Sequence, residues 1–250
     1  MSKTVAYEVV ETLRDLGVKY IFGVPSGGWV DYMEALRNTD GIEFVLTSHE
    51  GGAAFMADVC GRLSGAPGVC FGTFGPGATN LTTGVGGALL DRSPLIALSD
   101  EMAAPMRGRV TQMGIDHQAL FEPITKKTTR LEKDRVREIL HDAAVTALAE
   151  PPGAVHVGLP VGMSAEVASS DEHAFVPEVT PDPDEALIGE VQSLLENSEK
   201  PVIALGLSAV RAGVGEQVAS FASQVNIPIV VTPMAKGLIP ESHPCYTGVL

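Results

Sequence analysis

One acidic residue stands where acid is out of place. In "TSHEGGAAFMA" (47–57), Glu50 follows an apolar run, residues 42–46, broken only by Glu43. The residues after it, 51–57, are almost all small or apolar. A buried carboxylate without a partner is expensive. Glu50 therefore either caps or ion-pairs locally, or exchanges a proton with a bound molecule as a general acid or base does. The residues alone favour the local role.

A second candidate is "GTFGPGATNL" (72–81). Gly75 and Gly77 flank Pro76 after an apolar run, and glycine lets another molecule approach the backbone closely. Unpaired N–H groups at the start of the next helix can receive a polar or anionic group. The pattern is not G-x-G-x-x-G, because position 80 is Asn80, and no Gly-Lys-Ser/Thr follows as in a phosphate loop. Taken alone it reads as a tight strand-to-helix turn. No G-x-S-x-G elbow occurs. The six histidines have no metal spacing, and His49 beside Glu50 is too little for one, so no metal site is expected on this chain.

These residues need elements to hold them. Val5, Val9, Val10, Leu13 and Leu16 keep helical spacing, and Gly17 stops the helix. Then "KYIFGV" reads as a strand, 31–37 as a helix, "IEFVLT" as a strand and 50–64 as a helix. "GVCFGTF" (strand), 78–91 (helix) and "PLIALS" (strand) follow. After an irregular stretch come "ITKKTTRL" (strand), 134–149 (helix) and "AVHVGLP" (strand). Apolar strands alternating with helices imply an α/β fold, a parallel sheet covered on both faces. Ligands of such sheets bind beyond the carboxyl ends of the strands. The loops to watch are therefore 24–28, 47–50, 73–78 and 99–117.

The acidic, proline-bearing segment 166–184 has no apolar period and reads as a linker between domain 1–165 and domain 185–250. In the second domain, helix 185–197, strand "PVIALGL", helix 213–225 and strand "IPIVVTP" restart the pattern as an incomplete, Rossmann-like unit with two clear strands. A formal charge of −14 argues against nucleic acid and anionic membranes as partners. No apolar run reaches the length of a signal or a membrane span. The three cysteines form no pair or ladder, as in a reducing compartment. The chain is expected to be soluble and cytoplasmic.

Five stretches carry a resemblance: "FGVPSGG" (22–28), "SHEGGAAFMADVCGRLSG" (48–65), "FGPGATNLTTGVGGALLDRSPLIALS" (74–99), "PITK" (123–126) and "KPVIALG…IPIVVTPMAKGLIPESHPCYTGVL" (200–250). In this order they resemble thiamine-diphosphate enzymes, and in particular the acetolactate synthase-like branch. The resemblance implies that residues 1–165 form a pyrimidine-binding domain and 185–250 the start of a central domain that in some members carries FAD. It implies carbon–carbon bond formation on a 2-keto acid. Non-oxidative decarboxylation and a non-catalytic partner subunit are the alternatives, the last disfavoured because Glu50 is present.

By the same resemblance Glu50 is the carboxyl that hydrogen-bonds the aminopyrimidine ring and relays its proton. Pro25, Ser26, Gly27, Gly28, Gly75, Pro76, Gly77 and Asn80 would line the cofactor cleft between subunits of a homo-oligomer. Substrate-side candidates are Phe74, Gln112, His117 and Gln118. A family glutamine precedes "PITK", but the spacing here is one residue longer, so Gln112, His117 and Gln118 all remain open. His117 reads equally as a proton donor or as a loop surface residue. Ser26 stands where synthases usually have glycine, and Phe74 where a small polar residue is usual. The family holds the diphosphate through Mg²⁺ on a Gly-Asp-Gly motif, which is absent here. That half of the site is expected on missing sequence or on another chain. The Gly- and Ala-rich helices 50–64 and 78–91 are expected at or near a subunit contact.

Overall fold

The computed structural model describes residues 3–107, 109, 112–169 and 182–250. Most of the expected linker, 170–181, lies outside the described residues. The chain divides into two compact units, Met1–Glu178 and Val179–Leu250.

In the first unit, helix α1 (Val5–Asp15) leads to β1 (Tyr20–Gly23), α2 (Val30–Arg37), β2 (Glu43–Leu46) and α3 (Glu50–Ser64). Then come β3 (Gly68–Gly72), α4 (Pro76–Leu90), β4 (Leu95–Glu101), a short α5 (His117–Phe121), β5 (Lys127–Arg130), α6 (Val136–Leu148) and β6 (Ala154–Pro160). The sheet order is β2-β1-β3-β4-β6-β5, and every pairing is parallel.

Strand alternation sorts the core into two layers. Val69, Phe71, Ile96, Leu98, Val155 and Val157 pack with residues of α1, α2 and α6. Cys70, Leu95, Ala97 and Ala154 face the other way, against Ala53, Ala54 and Ala57 of α3 and Ala78, Leu81, Val85 and Ala88 of α4. Small residues on that side let the helices lie close. A Cβ on Gly84 of α4 would come within 2.5 Å of the Ala54 Cβ of α3. Much of the small-residue character of these helices is thus spent on packing within the chain. What they leave exposed is larger: Phe55, Met56, Val59 and Leu63 on α3, and Leu90 at the end of α4.

The expected strand at 42–46 forms β2 as an edge strand, half exposed rather than buried in the core. Trp29 fixes the loop after β1. Its ring is fully buried among Phe71 (centroids 3.9 Å apart), Tyr32 and Phe44.

The second unit contains α7 (Glu185–Glu196), β7 (Ile203–Leu205), α8 (Leu207–Arg211), α9 (Gly215–Val225), β8 (Ile229–Val231) and β9 (Tyr246–Val249). Its parallel sheet, β7-β8-β9, has three strands where two were expected. The third was missed because "YTGV" is only four residues and holds a glycine at φ +131°. Leu205, Ala222, Ile229, Val231 and Ile239 form its core. No residue of α7 is buried, and Leu187, Ile188, Val191 and Leu194 are exposed.

Candidate active site

Glu50 is the first residue of α3, at the carboxyl end of β2. It does not cap the helix. His49 does so, its Nδ1 accepting from the Gly51 amide at 3.0 Å. Glu50 is only 8% exposed, and among the described residues no cation pairs with it. Its Oε2 accepts a hydrogen bond from Asn80 Nδ2 of α4 at 2.9 Å. Its Oε1 faces Gly77, where a Cβ would lie 3.2 Å away. The two local roles open in the sequence, cap and ion pair, are therefore both filled otherwise or absent.

The loop after β3 approaches from the same side. Gly75 has φ +59° and ψ −111°, and a Cβ there would sit 2.8 Å from the Met113 carbonyl oxygen. Its amide donates to His117 Nε2 at 3.1 Å. That bond settles a tautomer. A neutral ring that accepts at Nε2 carries its proton at Nδ1. Burial, the leading influence, lowers the pKa of His117 and keeps it neutral.

From there a buried chain runs in one direction. His117 Nδ1 donates to Ser99 Oγ (3.0 Å), and the Ser99 hydroxyl donates to His156 Nε2 (2.8 Å). His156 Nδ1 donates to Thr128 Oγ1 (2.7 Å), and that hydroxyl donates to Gln118 Oε1 (2.8 Å). The Gln118 amide nitrogen ends the chain on Glu101 and on the Thr129 carbonyl, and Arg130 pairs with the other oxygen of Glu101. His156 is fully buried, stacked on Phe121 at 4.1 Å, and held well below the ordinary imidazole range by that burial.

A second buried acid lies between the loops. Asp100, near the end of β4, accepts from Ser26 Oγ at 2.7 Å and from Thr73 Oγ1 at 3.3 Å, both at Oδ2. Ser26 in turn accepts from the Gly28 amide at 3.3 Å. A Cβ on Gly28 would lie 2.9–3.0 Å from the Asp100 carboxyl atoms. Burial pushes Asp100 up to about 6 against the pull of the two hydroxyls.

The structure thus gathers Ser26, Gly28, Glu50, Gly75, Gly77 and Asn80 beyond the carboxyl ends of β1, β2 and β3. Pro25, Gly27 and Pro76 are exposed in the same loops, and Phe74 is half-buried. Gln112 is exposed on the loop before α5. His117 and Gln118 have their polar atoms engaged within the chain. Ser99, Asp100, Thr128 and His156 were not singled out from the sequence. Two signals were available: a polar run, "SDE", closing an apolar strand, and one histidine inside the apolar "AVHVGLP". Among the described residues no group of three or more His, Cys, Asp or Glu could hold a metal ion.

Two family models match the chain. The thiamine pyrophosphate enzyme N-terminal TPP binding domain matches residues 3–120, and the thiamine pyrophosphate enzyme central domain matches residues 188–250. A probable acetolactate synthase large subunit of Methanocaldococcus jannaschii is 36% identical over 98% of this chain and 43% of its own length. The acetolactate synthase isozyme 1 large subunit of Escherichia coli is 30% identical over 97% of this chain and 43% of its own length. The chain thus spans less than half the length of these curated relatives. With both matched segments in order, and the buried glutamate at the junction of β2 and α3, the chain belongs to the acetolactate synthase-like family of thiamine-diphosphate enzymes.

Proposed function

We propose that the intact protein carries out thiamine-diphosphate-dependent carbon–carbon bond formation on a 2-keto acid, as a transferase of the acetolactate synthase-like kind. Residues 1–165 supply the pyrimidine half of the site and 185–250 begin the central domain. The observation that carries this reading is Glu50: buried, unpaired with any cation among the described residues, one oxygen held by Asn80 and the other facing Gly77. The bare glycine is what lets the start of α4 lie against Oε1 and Thr73, where a Cβ would come within 3.2 and 2.8 Å.

The residues fit the pyrimidine end of the cofactor. When bound, thiamine diphosphate supplies the carbon nucleophile that attacks the keto group. This chain's part is narrower. Glu50 holds or passes a proton at Oε1, Asn80 fixes the carboxyl's direction, and the loops 24–28 and 73–77 shape the cleft. Phe74 adds an apolar wall on the substrate side. Gln112 stands on the loop nearest the substrate candidates, while His117 and Gln118 hold that loop's foot rather than the substrate itself. The Mg²⁺ ligands and the diphosphate belong on sequence beyond this chain, and FAD, where used, on the central domain. The exposed apolar stripe of α3 supports a homo-oligomer, and three cysteines without a pair or ladder support a cytoplasmic one.

Glu50→Gln keeps the Asn80 contact but removes the transferable proton. In the intact protein it lowers kcat by about 10²–10⁴-fold with an unchanged melting temperature. Near-normal turnover on every 2-keto acid that the unmodified protein accepts overturns the assignment.

A further inference from the structure

We infer that Asp100 is a positioning acid of this site: as a carboxylate it clamps the loop after β1 to the loop after β3, and on protonation it releases them. Three observations meet at this residue. It is 1% exposed, yet among the described residues no cation is hydrogen-bonded to it or paired with it. The donors it has come one from each loop, Ser26 and Thr73, and converge on one oxygen. Gly28 is stripped of a side chain where it passes over the carboxyl.

The direction of the bonds depends on charge. An ionised carboxyl can only accept, so the Ser26 hydroxyl must point its hydrogen at Oδ2 and keep a lone pair for the Gly28 amide. That lone pair caps the 3-10 turn Gly27–Trp29. A protonated Asp100 is itself a donor and no longer dictates this order. Ser26, the departure from the family's usual glycine, is thereby explained as the hydroxyl that reads the state of Asp100.

The groups facing Asp100 are few. Tyr32 of α2 is near, its phenol raised first by burial and then by the Asp100 carboxylate, with Asp31 behind it. His117 of α5, neutral by burial, meets the Asp100 backbone carbonyl, and Leu159 is the cross-strand neighbour on β6. None brings a positive charge at neutral pH.

The sign follows from burial. A carboxyl raised from 3.8 to about 6 binds its proton more tightly folded than unfolded. Stability therefore falls as pH rises through that window. The protein keeps a charge that weakens it, and such groups cluster at functional sites.

Trp29, the only tryptophan of the sequence, ends the turn that Ser26 caps and reports on the clamp directly. In the ligand-free intact protein, the part of the tryptophan fluorescence that Trp29→Phe removes is expected to change in one step near pH 6. Asp100→Asn abolishes the step and melts no lower than the unmodified protein at pH 8. Ser26→Ala, which removes one of the two lowering bonds, moves the step to higher pH. In turnover, kcat/KM of the unmodified protein falls about fourfold between pH 8 and 5.5, as one group of that pKa requires. In Asp100→Asn it stays flat at a reduced level. A fluorescence step that persists in Asp100→Asn, or a variant that melts lower with its pH profile unchanged, overturns the inference. The turnover arm rests on the proposed function and the fluorescence arm does not. Absence of thiamine-diphosphate-dependent turnover with an intact fluorescence step refutes the proposed function alone.

Discussion

Gly75 has no freedom left. Its φ and ψ lie where only glycine is relaxed, and a Cβ would strike the Met113 carbonyl. Gly75→Ala should cost about 1–3 kcal/mol of backbone strain. Because the Gly75 amide also fixes His117, the variant should lose turnover beyond what its lower melting temperature explains. Parallel melting and activity series check both. A variant as stable and active as its parent would mean that the loop relaxes freely. Gly75 and Glu50 were legible in the sequence because each breaks a local pattern: glycines at a strand end, an acid in an apolar context. Asp100 was not. A polar "SDE" after an apolar strand looks like the start of a solvent-facing turn, and only the sheet order places it in the middle of the first unit.

At the scale of elements, helical spacing and short apolar runs placed the long helices and all strands of the first unit. The five-residue helices α5 and α8 and the strand β9 are too short to show a period. α4 begins at Pro76, two residues before the expected 78, because proline is well suited to a first helical turn. The small-residue helices are expected at or near a subunit contact, and within the chain their alanines bring α3 onto α4. Gly84→Val tests that packing. It drives two methyl groups into Ala54, with an overpacking penalty of roughly 1–3 kcal/mol. Chemical denaturation should show the loss as an earlier midpoint with an unchanged slope. An unchanged midpoint would mean that the two helices are not held at this spacing.

For the whole molecule, what matters is the apolar surface that folding leaves uncovered. Leu63 is 82% exposed and Leu90 84%, and Phe55, Met56 and Val59 continue the same side of α3. Exposed apolar patches of this kind mark association. Light scattering of the intact protein at micromolar concentration should give a dimer or larger. Leu63→Asp, which touches no core contact, should shift it toward smaller species without lowering the melting temperature of the monomer. A monomeric parent protein would refute the reading. The sequence disclosed that such a face exists, but not which residues form it. The same alanine-rich segments supply both an inner and an outer side, and composition cannot separate them.

The one-way hydrogen-bond chain behind Gly75 also carries a rule of parity. Its first member, a backbone amide, can only give, and its last acceptors, a carboxylate and a carbonyl, can only receive. Every link between them must therefore accept from the member before it and donate to the member after it. Ser99, Thr128, the two imidazoles and the Gln118 amide can each do so, whereas valine, a charged imidazole or a lysine cannot. A change at His156 to a side chain that cannot do both leaves the Ser99 hydroxyl without its acceptor and Thr128 Oγ1 without its donor. A single exchange keeps the count only where the new side chain also accepts and donates, as serine for threonine does, and any other must be matched by a second change along the chain.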